Sequence, residues 1–140
     1  MTVASIHHVS LTVADLEVSR RFYREVLGLQ EIPRPAFAFP GAWFHVGESQ
    51  QLHLIVCDDP TTRGTKPIDT RDVHFALRVT SFEHAREFLH ARGFREDADP
   101  ANPMHMIARP NPVAGFPQIY ILDPDRHIIE LNSARLAARE

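Results

Sequence analysis

Apolar and polar residues alternate in HVSLTV, residues 8–13, and again in HFALRV, residues 74–79. A period of two marks a strand with one buried face. After each strand the period lengthens. Val18, Phe22 and Val26 recur at four-residue steps with Tyr23 and Leu27 beside them, predicting a helix over about 16–27. Phe82, Ala85, Phe88 and Leu89 predict a second helix over about 82–92. Asp15 and Ser81 stand at the N-cap positions, and Gly28 and Gly93 at the left-handed C′ positions that close a helix. All eleven prolines lie outside the two helical spans, as the missing N–H of proline requires.

The two strand–helix units are copies. At an offset of 66 residues His8 matches His74, Asp15 matches Ser81, Leu16 matches Phe82, Arg20 matches Arg86 and Phe22 matches Phe88. Short strands near 30–34, 42–46 and 51–56 complete the first copy, and strands near 117–122 and 127–131 complete the second. The run ADPANPMHMIARPNPVAG is proline-rich and poorly periodic, and predicts a long loop or an interrupted strand. The polar stretch CDDPTTRGTKPIDTRD separates the copies. The pattern therefore predicts an α+β fold of two βαβββ modules. The first covers about 5–57 and the second about 72–132, with a linker at 58–71 and a tail at 133–140.

Composition narrows the function classes. The chain has 140 residues and a formal net charge of −3, without a basic cluster, which argues against nucleic acid as a partner. No apolar run approaches the ~20 residues of a membrane span. MTVASIHHVS lacks the layout of a signal peptide, so a cytoplasmic location is expected. Cys57 is the only cysteine and forms no internal disulfide. Nine histidines keep metal chemistry open.

Alternation assigns the histidines to faces. His8, Ser10 and Thr12 share one face of the first strand, opposite Val9, Leu11 and Val13; His74, Ala76 and Arg78 repeat this in the copy. His53 lies between Leu52 and Leu54, and Glu130 between Ile129 and Leu131, so both should point away from the helices as well. His8, His53, His74 and Glu130 are thus the candidate ligands. Imidazole with carboxylate suits a divalent zinc, nickel, cobalt, iron or manganese ion. His7 falls on the opposite strand face, while His45, His84, His90 and His127 read as surface or edge residues. His105 lies in the irregular run.

IHHVSLTVADLEVSRRFYREVLGL resembles the opening of the vicinal oxygen chelate superfamily, which groups glyoxalase I, extradiol dioxygenases, fosfomycin-resistance thiol transferases and bleomycin-binding proteins. YILDPDRHIIELN resembles that family's last hairpin and terminal ligand strand. The resemblance implies a curled mixed sheet forming a metal-lined cup with helices on its convex face, often completed across a homodimer. It also implies a small-molecule substrate. His8, His74 and Glu130 fall on the family's recurrent ligand positions, and His53 on a fourth that relatives fill with Glu or Gln. Where the family hairpin reads DPDGH this chain has Arg126, a departure costing roughly 0.5–1 kcal/mol if the residue takes a positive φ.

The resemblance implies a glyoxalase I-like lyase or isomerase, in which the metal chelates two substrate oxygens and Glu130 shuttles a proton through an enediolate. The alternative is an Fe(II) extradiol dioxygenase with Tyr120 as a catalytic substrate contact. This chain lacks the histidine that precedes the tyrosine in that family's signature. A metal-free antibiotic-binding protein or a thiol transferase are further alternatives. Arg78, beside His74, and Phe44, within AFAFPGAWF, are expected to contact substrate along with Tyr120.

Overall fold

The structure, a computed structural model, describes residues 1–59 and 63–134. Residues 60–62, near the start of the expected linker, and most of the expected tail lie outside the described residues. The chain divides into two compact units, Met1–Gly64 and Thr65–Glu140.

The first unit runs β1 (His8–Val13), α1 (Leu16–Glu25), β2 (Gln30–Ile32), β3 (Gly41–Val46) and β4 (Gln50–Val56). Its sheet has the order β1-β4-β3-β2, with β1 parallel to β4 and the remaining pairs antiparallel. Asp15 caps α1, its Oδ1 accepting from the Val18 N–H at 3.1 Å. Gly28 closes the helix region at φ 65°, a conformation in which a side chain would crowd the backbone. The buried stripe of α1 is Ser19, Phe22 and Tyr23, whereas Val18, expected inside, is exposed. Steps of three and four from Ser19 follow the 3.6-residue turn, whereas a strict step of four from Val18 drifts off the buried face. Tyr23, Phe44, Leu52 and Leu54 are fully enclosed, each large apolar side chain contributing about 1.5–3 kcal/mol by leaving water.

The second unit runs β5 (His74–Arg78), α2 (Phe82–Ala91), β6 (Ile107–Arg109), β7 (Gln118–Leu122) and β8 (Ile128–Asn132), in the sheet order β5-β8-β7-β6. Ser81 caps α2 by accepting from the His84 N–H, and Gly93 follows at φ 95°. Phe82 and Leu89 are buried as expected. Phe88 is not: its ring is exposed and covered by the Arg92 guanidinium, 3.2 Å from the ring centroid. The proline-rich run yields only the three-residue β6. Strands β7 and β8 are buried on both faces, since Tyr120, Leu122 and Ile128 form an apolar cluster with Ile68 and Ile107 packed against it.

The hairpin between β7 and β8 turns at Arg126, the one non-glycine residue of positive φ among the described residues, at 66°. The strain is offset locally. The Asp123 carboxylate accepts from the Asp125 and His127 N–H groups, and the Arg126 guanidinium donates to the carbonyls of Lys66 at 2.8 Å and Thr65 at 3.2 Å. The result is an α+β chain of two βαβββ modules, each a mixed four-stranded sheet, as the alternation predicted.

Candidate functional site

Register shows what the duplication aligns. In the first unit His53 lies opposite Ser10 on β1 and Trp43 on β3; in the second Glu130 lies opposite Ala76 on β5 and Tyr120 on β7. His53 and Glu130 therefore occupy the same place in the two sheets, as do Trp43 and Tyr120. Their surroundings differ.

Around His53 the first unit builds a column of rings. Trp43 stacks on His53 at 4.1 Å with planes 4° apart, and His8 stacks on the other side at 4.2 Å and 16°. His53 Nε2 donates to Gln51 Oε1 at 2.7 Å, which leaves Nδ1 as the basic nitrogen. Burial, and then the nearby His8, His7 and Arg34, hold the His53 imidazole below its usual pKa. It is therefore neutral at pH 7. His7 and His8 share one hydrogen bond between their Nδ1 atoms at 2.8 Å. Alternation had set His7 on the far face. Because β1 begins only at His8, the strand rule does not govern His7, and its ring joins the group.

Around Glu130 the second unit builds a hydrogen-bonded cage. Oε1 accepts from Gln118 Nε2 at 2.9 Å and from the Tyr120 hydroxyl at 2.7 Å, and Oε2 accepts from Asn132 Nδ2 at 2.6 Å. The carboxylate is buried. Burial and this contact with Glu130 push the Tyr120 phenol up to about 12, so it stays a donor. His74 Nδ1 donates to the Asp72 carbonyl at 2.8 Å, which fixes the tautomer with the lone pair on Nε2. That nitrogen stands 3.8 Å from Glu130 Oε1.

The structure thus brings His8 to His53 and His74 to Glu130. Among the described residues no group of three or more His, Cys, Asp or Glu is gathered for a metal. Arg78 is exposed, with Phe116 5.5 Å from its guanidinium carbon. Phe44, expected to contact substrate, is fully buried and packs beside Tyr23. The cause is parity: Ala42 and Phe44 face α1, and Trp43 is the aromatic residue on the His53 face. Gln118 and Asn132 escaped the sequence reading, although two-residue steps from Tyr120 and Glu130 lead straight to them.

The donor chemistry of His74 and Glu130 fits a divalent ion. A lone pair and a carboxylate oxygen face each other beyond hydrogen-bond length, and their separation is less than twice a metal–ligand bond of about 2.0–2.2 Å. The carbonyl behind His74 and the amides behind Glu130 are the outer partners that orient metal ligands.

The family described as Glyoxalase/Bleomycin resistance protein/Dioxygenase superfamily matches residues 5–131. Across 94% of its length the chain is 29% identical to the uncharacterized protein YwkD of Bacillus subtilis (strain 168), covering 98% of that protein. It is 30% identical over 137 residues to glutathione transferase FosA of Serratia marcescens, covering 96% of this chain and 84% of the relative. Its fold matches a crystal structure of a variant fosfomycin resistance protein, FosX, from Listeria monocytogenes. The TM-score is 0.69 at 20% identity, covering 97% of this chain and 95% of the other. That protein was crystallised with Mn(II) and 1S,2S-dihydroxypropylphosphonic acid.

Proposed function

The chain belongs to the Glyoxalase/Bleomycin resistance protein/Dioxygenase superfamily, and from that premise we propose a metal-dependent enzyme of the glyoxalase I type, acting on a small molecule through two adjacent oxygens. The observation that carries this reading is the second half's His74 Nε2 facing Glu130 Oε1 at 3.8 Å, with the other imidazole nitrogen tied to a carbonyl. The proposed ligands are His74, Glu130 and His8, with the first half supplied by the same chain or by its copy in a homodimer. The ion, zinc, nickel, cobalt, iron or manganese, would supply Lewis acidity toward the two oxygens.

The chain's own residues divide the remaining work. Gln118, Tyr120 and Asn132 fix both oxygens of Glu130, a geometry that suits a stationary carboxylate better than a moving one. The proton-transfer role expected of Glu130 therefore passes in this proposal to His53. Its imidazole is neutral at pH 7, is buried, and keeps a basic Nδ1, the properties of a general base. The Tyr120 hydroxyl, committed to Glu130, gives the ring-cleavage alternative no free phenol for a catecholate.

Elemental analysis of protein purified without added metal tests the metal, and Glu130→Gln and His74→Ala should lose it. With a 2-oxoaldehyde–thiol adduct as substrate, His53→Gln should lower turnover about 10²–10⁴-fold, the usual contribution of a general base, while metal content stays unchanged. Full turnover in His53→Gln would remove the base, and a wild type that takes up no divalent ion would remove the whole reading. A second reading, thiol transfer, is favoured by the match to a glutathione transferase along nearly all of the chain. Glutathione and fosfomycin supplied to the metal-loaded protein should give a thioether adduct by mass spectrometry if that reading holds.

A further inference from the structure

The register that aligns Trp43 with Tyr120 also aligns Gly41 with Gln118: Gly41 lies opposite Ile55, and Gln118 opposite Asn132. In the second half this place carries an amide that holds Glu130. In the first half it carries no side chain, and the Arg34 guanidinium fills the space. A Cβ added at Gly41 would lie 2.9 Å from Arg34 Nε and Nη2, and would collide with the Leu54 carbonyl oxygen.

The guanidinium is bounded by aromatic rings. Its central carbon lies 4.7 Å from the Phe37 centroid and 4.9 Å from that of Phe39, whose rings stack on each other at 5.2 Å. Phe37 also lies 6.0 Å from Trp43, the ring stacked on His53. Phe37 and Phe39 are 45% and 42% exposed, unusual for rings of this size. The cation's charge reaches His53, contributing to the lowered pKa of that imidazole.

Arg34 is short of acceptors. Nη2 donates to the Phe39 carbonyl at 3.0 Å, Nε is closed off from solvent without an acceptor, and no carboxylate among the described residues forms an ion pair with it. An arginine serving only to cover rings would leave its donors in water, where each is satisfied. A guanidinium fixed by stacking, with one bond from Nη2 to a carbonyl and no carboxylate partner, instead keeps its remaining terminal N–H groups for an oxyanion.

We infer that Arg34, seated over Gly41, is a specificity residue that anchors an oxyanion of the substrate, while Phe37, Phe39 and Trp43 hold an apolar or planar part beside it. This rests on the proposed function in placing the substrate next to His53, and it narrows the substrate class to carboxylates or phosphate-type anions bearing an apolar group. The chemistry is recognition alone, and no bond is made or broken at Arg34.

Trp43 is the only tryptophan, so its emission reports this place directly. Metal-free protein is titrated with phenylacetate and with phenylacetamide, its neutral isostere. The wild type should show saturable quenching by phenylacetate and at least tenfold weaker binding of phenylacetamide. Arg34→Met should weaken phenylacetate about tenfold or more and leave phenylacetamide unchanged. Arg34→Lys should recover part of the difference, since it restores the charge without the fork, and far-ultraviolet circular dichroism should show both variants folded. Equal phenylacetate affinity in wild type and Arg34→Met overturns the inference, as does a wild type that does not bind phenylacetate or does not prefer it to the amide. Because metal is absent throughout, this outcome is independent of whether the protein binds an ion, which elemental analysis decides separately.

Discussion

The two halves place one backbone lattice under two kinds of chemistry. At equivalent sheet positions the first half sets His53 and Trp43, and the second sets Glu130 and Tyr120. One solves burial with flat rings in a column, keeping an uncharged base. The other solves it with three donors around a carboxylate. Duplication supplied the geometry, and substitution at the same few positions separated a ring-stacked imidazole from a hydrogen-bonded carboxylate. The brace behind each sheet diverged less. Arg20 Nε reaches Glu31 at 3.0 Å in the first half, and its copy Arg86 reaches Glu96 at 2.6 Å in the second, where His90 adds a further bond at 2.7 Å.

The comparison can be broken most severely at its two aromatic residues. Tyr120→Ala should cost about 3–5 kcal/mol in urea denaturation, as large-to-small core changes do, because the ring is buried within an apolar cluster. Trp43→Ala should cost clearly less, since Trp43 is only partly buried. Equal losses would show that exposure does not distinguish the two faces. Next in size, Gln118→Leu should destabilise by about 1–3 kcal/mol through loss of a donor to a buried carboxylate. Gln51→Leu, at the rim of the ring column, should cost under half as much, and a larger loss there would contradict the contrast drawn.

Acid should separate the halves in order. The His53 pKa is lowered from 6.5, so the unfolded chain takes up this proton first as the pH falls. Its contribution to stability is present above pH 6.5 and is lost as the pH drops through the lower folded value. Protonation should quench Trp43 emission in the same range, and His53→Gln should remove the transition; a midpoint above 6.5 would reverse the sign. A second step, at lower pH, belongs to Glu96. Burial alone would raise its carboxyl, but the bonds from His90 and Arg86 prevail and bring it from 4.5 to about 2. Stability from this brace should persist above pH 4.5 and fade toward pH 2. Glu96→Gln should flatten that part of the acid-stability curve, and an unchanged slope would mean that solvent screens the brace.

Much of this was legible before any coordinates. Capping residues at Asp15 and Ser81, glycines at Gly28 and Gly93, and strict alternation located both helices and the outer strands, because local backbone chemistry decides those features. Alternation also put His8 and His53 on one face, and His74 and Glu130 on one face. It failed where neighbours are all apolar: AWF gives no parity, so Phe44 was preferred to Trp43. It also stopped at the start of β1, where His7 escapes the rule. Arg34 left no trace, since its position depends on a glycine several residues away on another segment. The relation between ring column and carboxylate cage is a matter of assembly, which period and propensity do not encode.

Gly41 carries a consequence for inheritance. A single base change in a glycine codon yields alanine, and that one methyl group would evict the guanidinium and press on the neighbouring strand. Such an allele would leave every aromatic residue, histidine and carboxylate intact in the gene. On the role proposed for Arg34, its bearer would keep every proposed ligand and the proposed base and lose the anchor that tells one compound from another.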